Sequence, residues 1–321
     1  MCTLLCYLWY TIAIFLFPPR IRGIPSDHTQ TESLVQYASR IYLPDYFLKW
    51  YLLPLFSSVA TCSHAHLLSF PAAYITDYRK GTLAAHHYTV IDMEKLQDRL
   101  AKGAALELDR SVLSVTSKDN KVAVDHRKCS NTQRNAPADK TDIFDHAILA
   151  TGALAASQIH EASSKVTSQL SSCKVIITVR KASEEQERLQ KDTRPTEILA
   201  LRTRMDPEMG AVTDSTHLHS SGVAVKVAAC PSEGTPEDAN GQLHRLEIYR
   251  PLPTPESHNL LLDVFNRKSE TLKNGDGNVY LAGGYASPGH PLLEACVRSG
   301  LEAAKGIDRT LPFDIIRKTP F

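Results

Sequence analysis

The stretch NVYLAGGYASPGHPLLEACVRSGLEAAK, Asn278 to Lys305, joins a short apolar run, paired glycines and a helical pattern of small residues. Val279 to Ala282 forms the apolar run, ended by Gly283 and Gly284, and Pro291 is placed where the first turn of a helix tolerates a missing N–H. Leu292, Leu293, Cys296, Val297, Gly300, Leu301 and Ala304 then recur at helical spacing, with Glu294, Arg298 and Glu302 on the opposite side. This is the pattern of an amphipathic helix. Its packing face, Ala295, Ser299, Gly300 and Ala303, is small enough for another backbone or a flat ligand to come close. A strand, glycines and a helix N-terminus present free N–H groups and a positive dipole end to an electron-rich partner. The same unit also serves as an ordinary strand-loop-helix corner of an α/β core.

The segment resembles the C-terminal flavin-binding segment of the FAD-dependent amine oxidase and phytoene desaturase superfamily. The pattern there is an apolar strand, AG, a variable loop, then E-G-A-x-x-S-G-x-x-A-A. It reads here as Ala282-Gly283, then Glu294-Ala295-Cys296, Ser299-Gly300 and Ala303-Ala304. The resemblance implies FAD as cofactor, with the loop amides at Gly283 and Gly284 near its ribityl and phosphate portion. It also implies that the helix start, Leu293 to Cys296, faces the pyrimidine edge of the ring. Two positions depart from the pattern: Ala295 stands where glycine is usual, and Leu292 where an aromatic residue often flanks the flavin. The second departure points away from a simple amine and toward a hydrophobic substrate.

Two further stretches fit the same family. Phe144 to Leu149 reads as a buried strand ending in Ala150-Thr151-Gly152, which resembles the second dinucleotide-fold motif. Met93 to Leu100 reads as a short helix. Ala105 to Leu108, SVLSVTS and KVAVDH read as strands, the last two joined by a KDNK turn. The family order then implies an adenine contact near Val112, although the glycine pair that often opens the helix is replaced by Val90-Ile91-Asp92-Met93.

A fold of this kind normally opens with a strand, G-x-G-x-x-G and a helix, because the backbone must approach the pyrophosphate. That spacing occurs nowhere in the 321 residues; Gly275-x-Gly277 comes closest but has Tyr280 in the third position. The sequence is therefore expected to be a truncated gene model, a fragment, or a short paralogue, with weak or absent FAD binding in this chain alone.

The chain carries 36 Lys+Arg against 35 Asp+Glu, so no basic field suggests nucleic acid. At this length about three quarters of the unfolded surface can be buried. Seven cysteines without metal spacing suit a reducing compartment rather than a disulfide framework. Cys2 to Phe17 is an uncharged apolar run closed by Pro18-Pro19, Arg20 and Arg22. It falls short of a comfortable span of about 20 residues and lacks signal-peptide features. Membrane contact through residues 2–17, on the cytoplasmic side, stands beside core burial.

Thr29-x-x-Glu32 has capping-box spacing and predicts a helix running to just before Pro44, and Pro54 predicts a kink or stop in YFLKWYLLPLFSSVATC. This stretch, with HAHLLSF and PAAYITDY, makes the first third α-rich and resembles a helical substrate cap. Part of it resembles a segment of fungal amine-oxidase-like FAD proteins. Residues 127–142 read as a polar loop and KASEEQERLQKDTR as a solvated helix or loop. CKVIITVR, EILALRT, GVAVKVAA and LHRLEIYR read as strands, PESHNLLLDVF as a helix, and THLHSSG as lying near a turn.

The expected fold class is α/β (α+β): an incomplete FAD dinucleotide-binding fold with an inserted substrate domain of mixed sheet and helical cap. The expected division is 1–25 apolar helix, 26–92 cap, 93–152 FAD-domain part, 153–272 substrate sheet and 273–321 C-terminal FAD segment. His64-x-His66, His86-His87 and His217-x-His219 lack a third ligand at a telling spacing, so no metal site is expected. Ser287 and Ser221 lack the surroundings of a nucleophile elbow. The leading expectation is an FAD-dependent oxidoreductase acting on a C–H bond of a hydrophobic small molecule, with no catalytic residue assigned. The alternative is a non-catalytic flavoprotein remnant that binds a membrane or a partner.

Overall fold

The apolar surface is buried in two cores, one drawn from residues 6–75 and 173–252 and the other from residues 115–166 and 264–286. The computed structural model describes residues 2–21, 30–81, 92–129, 137–183, 197–219, 221–231, 242–266, 269, 272–287 and 289–308. Thr29, His86-His87, Val90-Ile91 and most of KASEEQERLQKDTR lie outside the described residues.

The first core is helical. It contains α1 (Cys2–Leu16), α2 (Leu34–Arg40), α3 (Asp45–Phe47), a π-helical turn (Leu48–Leu52), α4 (Leu53–Ala60), α5 (His64–Ser69) and α6 (Ala72–Gly81). The first break differs from expectation. α2 begins at a capping box made by Ser33 and Gln36, the Ser33 N–H donating to Gln36 Oε1 at 2.9 Å, rather than at Thr29. Pro54 falls in the first turn of α4, where its missing N–H costs little, and the π turn before it absorbs the irregularity. α1 buries Tyr10, Ala13 and Ile14 but leaves Leu4, Leu5, Leu8, Ile12, Phe15 and Leu16 exposed. No described helix is long and apolar enough to cross a membrane.

These helices pack on an antiparallel sheet of order β6-β7-β8-β5-β9: β5 (Ser172–Lys181), β6 (Glu197–Asp206), β7 (Gly210–His219), β8 (Val223–Ala229) and β9 (Gln242–Pro251). Four of these strands match the expected runs. β7 is not among the expected strands; His217 and His219 end it, beside the expected turn, where the Gly222 N–H donates to the His219 carbonyl at 3.0 Å. Cys173, Val175, Cys230 and Leu252 carry the sheet into the helical core.

The second core is built from β1 (Arg110–Lys118), β2 (Lys121–Lys128), β4 (Ala147–Leu149), α8 (Ala153–Ile159), α9 (Glu161–Thr167), α10 (Pro255–Phe265) and β10 (Val279–Leu281), and its buried residues include Val115, Val122, Leu149, Val166, Val264 and Leu281; α7 (Met93–Ala101), β3 (Lys140–Phe144) and α11 (Leu293–Ile307) contribute no described residue to it. β1 and β2 meet through Asp119 and Asn120, both in left-handed backbone (φ 50° and 62°), as a two-residue hairpin requires. Residues 104–108 form no strand. The polar stretch at 127–142 is bounded more tightly than expected, since β2 reaches Lys128 and β3 starts at Lys140. The run from Phe144 to Leu149 is split: Phe144 ends β3, and only Ala147–Leu149 continues as β4.

Candidate functional site

β4 and β10 run parallel, with Val279 paired to Ala147, Tyr280 to Ile148 and Leu281 to Leu149. The Ala282 N–H continues the ladder by donating to the Leu149 carbonyl at 3.0 Å. Two segments more than a hundred residues apart in sequence therefore end side by side, one in Ala150-Thr151-Gly152 and the other in Gly283-Gly284. A crevice beyond the carboxyl ends of parallel strands is the usual ligand position in an open α/β sheet.

Gly283 has φ +132°, a conformation that a residue with a Cβ rarely adopts, and a Cβ there would approach the Tyr285 ring at 3.3 Å and the Thr151 carbonyl at 3.7 Å. Its N–H donates to Ser299 Oγ at 2.9 Å. Ser299 is buried, and its single hydroxyl proton has three carbonyl acceptors in reach: Ala295 at 2.8 Å, Cys296 at 3.0 Å and Gly283 at 3.1 Å. The helix is thereby pinned to the loop.

Pro291 precedes α11 instead of sitting in its first turn, and Leu292 is the N-cap. The packing face is the small-residue one, with Ala295, Ser299 and Ala303 buried. The apolar row does not pack as the spacing suggests: Leu293 is 66% and Val297 55% exposed. Glu294 and Cys296 are exposed as well, and a Cβ on Gly284 would lie 3.7 Å from Cys296 Sγ.

The expected site residues thus fall into three groups. Gly283, Gly284, Ala295 and Cys296 are gathered by Ser299 and Pro291, while Ala150, Thr151 and Gly152 stand exposed at the neighbouring strand end. Leu293 and Glu294 open α11 and point to solvent. Val112, on β1 beside a bulge, is exposed and lines no part of the cleft described next.

A small cleft lies between the glycine loop and α10, lined by Tyr74, Leu252, His258, Gly284, Tyr285 and Pro291 among others. The Tyr74 hydroxyl hydrogen-bonds His258 Nδ1 across it. Tyr285 is buried and its hydroxyl meets no hydrogen-bond partner; burial pushes its acidity far down. On the cap side of the loop, His290 stands against Phe70 (ring centroids 6.3 Å) and Tyr78 (6.1 Å). Neither of its ring nitrogens has a partner, and burial, with the Arg250 charge, pushes its pKa down to about 4. A neutral imidazole and a phenol with unmet hydrogen-bonding capacity are costly to bury. A ligand bearing ring carbonyl or N–H groups would meet them.

Tyr74, His258, Tyr285 and His290 have no signal in the sequence, because Tyr74 and His258 are 184 positions apart and meet only in the fold. His64 is otherwise occupied: its Nε2 pairs with Thr213 Oγ1 at 2.9 Å, joining α5 to β7. Among the described residues no group of three His, Cys, Asp or Glu is placed to hold a metal ion.

The crevice fits one side of a flavin nucleotide. It offers glycine backbone, a helix start and orphan polar groups, but no glycine-rich cradle for a diphosphate occurs in the sequence. No protein-family model and no curated protein matches the chain. Solved structures do. A CLA-producing fatty acid isomerase from P. acnes aligns with a TM-score of 0.57 at 12% identity, over 96% of this chain and 74% of its own. Cyclohexylamine oxidase from Brevibacterium oxydans IH-35A aligns at 0.52 and 11%, over 94% and 72%. A putrescine oxidase redesigned in its cofactor binding aligns at 0.50 and 12%, over 95% and 74%. The parallel pair β4–β10, the antiparallel sheet and the helical layer together are the fold of the FAD-binding amine oxidases.

Proposed function

We propose that the chain is an FAD-dependent oxidoreductase of the amine-oxidase type that oxidises a C–H bond of a hydrophobic small molecule, and that this chain alone holds FAD weakly. The observation that carries the reading is the pairing of Leu281 with Leu149, which sets two glycine-ended strand termini side by side. When bound, the flavin supplies the hydride acceptor.

The chain's own residues supply position and environment. Gly283 and Gly284 leave room for close backbone approach, with Ala150, Thr151 and Gly152 on the neighbouring strand end. At the N-terminus of α11, Leu293, Glu294, Ala295 and Cys296 present the positive end of the helix dipole, the Ala295 and Cys296 N–H groups themselves donating to the Leu292 carbonyl at 3.0 and 3.4 Å. Val112 is kept as the adenine-side contact. In this reading residues 93–152 and 273–321 form the cofactor part, and 26–92 with 153–272 the substrate part. Phe70 and Tyr78 give an apolar wall and His290 a single polar point in it, which suits a hydrophobic molecule with one hydrogen-bonding group.

The test is anaerobic bleaching of flavin in the FAD-supplemented chain. Lipid-like substrates are expected to bleach it; bleaching by polar amines alone refutes the substrate class.

A second reading rests on α1. Its exposed Leu4, Leu5, Leu8, Ile12, Phe15 and Leu16 lie on one side of the helix and fit a non-catalytic role at a membrane surface through residues 2–17. Sedimentation with lipid vesicles separates the two: binding lost on changing Leu4, Leu8 and Ile12 to Ser, without any flavin effect, favours this second reading.

A further inference from the structure

Among the described residues β9 pairs with β5 alone, so it is an edge strand of the antiparallel sheet. The Leu252 N–H donates to the Ser171 carbonyl at 2.8 Å. By the alternation of an antiparallel ladder, Arg250, Ile248, Leu246 and His244 likewise turn their N–H and carbonyl groups toward β5. Arg245, Glu247 and Tyr249 turn theirs outward to the open edge. Both ends of that row are closed. Pro251 has no N–H to offer, and Leu243 is the extra residue of a bulge, since Val179 faces His244 while Arg180 faces Gln242. The open edge is therefore a short, defined segment rather than a general template for pairing.

The side chains of the segment divide by face. Ile248 packs against the helical core, and Leu246 is on the same face but 56% exposed. On the other face Glu247 accepts from Lys174 of β5 at 2.8 Å and from Arg245 at 3.1 Å, and Tyr249 is 56% exposed. The run Arg245-Leu246-Glu247 is its own complement when turned end for end. A second copy approaching antiparallel must oppose odd-numbered residues to odd-numbered ones, because only those carry outward hydrogen-bonding groups. A two-fold axis through Arg245 sets that residue against itself, and one through Glu247 does the same there; like charges directly opposite destabilise a ladder. An axis through Ile248 sets Arg245 against Pro251, which cannot donate, and one through His244 sets Arg245 against the bulged Leu243. The axis through Leu246 sets Arg245 against Glu247 on both sides of it.

We propose that β9 is a homodimer interface, with a second copy of this chain joined to it edge to edge about a two-fold axis at Leu246. The two five-stranded sheets then become one continuous antiparallel sheet. Arg245 of each copy faces Glu247 of the other, each pair exchanging both N–H···O bonds. Their side chains form a square of alternating charge on the outer face, sharing the Glu247 carboxylate with Lys174. Leu246 meets its counterpart at a non-hydrogen-bonded position, where facing side chains lie closest, and covers apolar surface left open beside Ile248. Tyr249 falls opposite Leu243 of the other copy. The same segment serves both copies, so pairing through it stops at two.

Sedimentation equilibrium of the full chain over a range of concentrations tests the proposal. The mass is expected to rise reversibly from one chain to two and no further. Arg245→Glu and Glu247→Arg each place like charges opposite one another and should weaken association at least about tenfold. An equimolar mixture of the two variants should regain it, because each then offers the other the missing sign. Leu246→Cys should link to itself through residue 246 on mild oxidation, read by peptide mapping, whereas Tyr249→Cys should not. That linkage leaves both charges in place, so it decides the register even where a charge variant unfolds. A parent that stays monomeric, assemblies larger than two chains, a mixture no better associated than its separate variants, or no link through residue 246 overturns the proposal. None of these readouts depends on flavin.

Discussion

Ser299 on α11 and Gly283 at the end of β10 are joined through one hydroxyl, which accepts the Gly283 N–H at 2.9 Å and lies 3.1 Å from the Gly283 carbonyl. Helix, loop and strand end are fixed relative to one another at that point. Ser299→Ala should leave the Gly283 N–H unsatisfied and cost about 1–3 kcal/mol in urea unfolding. An unchanged midpoint would show that the clamp carries no energy.

Gly283 and Gly284 should respond differently to a methyl group. At Gly283 the backbone is in a glycine region and the Tyr285 ring is 3.3 Å from the added carbon, so Gly283→Ala should cost at least about 1–2 kcal/mol. At Gly284 the nearest atoms lie at 3.7 Å, an ordinary contact, so Gly284→Ala should fold within about 0.5 kcal/mol of the parent while narrowing the cleft it lines. Equal destabilisation of both variants by thermal unfolding contradicts this geometry.

Legibility in the sequence followed the physics of each element. β5, β8, β9 and α10 are announced by their periodicity, and the glycine-ended strands by their motifs. β7 was hidden because Thr213, Asp214 and Ser215 are buried polar residues, so its pattern lacks the apolar alternation of a strand. In α11 the small residues Ala295, Ser299 and Ala303 were legible as the packing face and are the buried ones, whereas the exposure of Leu293 and Val297 in the apolar row was not. Phe70 and Tyr78, the rings around His290, come from distant segments, and local spacing carries no trace of them.

Two buried groups give opposite pH dependences. Burial pushes the Asp77 carboxyl up to about 6 despite Lys80 at 3.6 Å, so the folded state holds that proton more tightly than the unfolded one. Its contribution is fully present below about pH 4 and lost as pH rises through 6. His290, held neutral down to about 4, contributes fully above its unfolded value and loses that stability as pH falls from about 6.5 through 4. Asp77→Asn should therefore gain about 1–2 kcal/mol over the parent near pH 7.5, a figure discounted for partial solvent contact, and nothing near pH 3.5. His290→Phe should remove about 2–3 kcal/mol of the parent's loss between about pH 7 and 4. Denaturant unfolding across pH checks both; parallel curves for parent and variants would contradict them.

Whether the crevice at the ends of β4 and β10 receives flavin is decided by titrating the purified chain and its Gly284→Leu variant with FAD and following flavin fluorescence. Weak but saturable uptake by the parent and none by the folded variant are expected. Tight stoichiometric uptake by the parent, or the same titration curve for both proteins, would contradict that expectation.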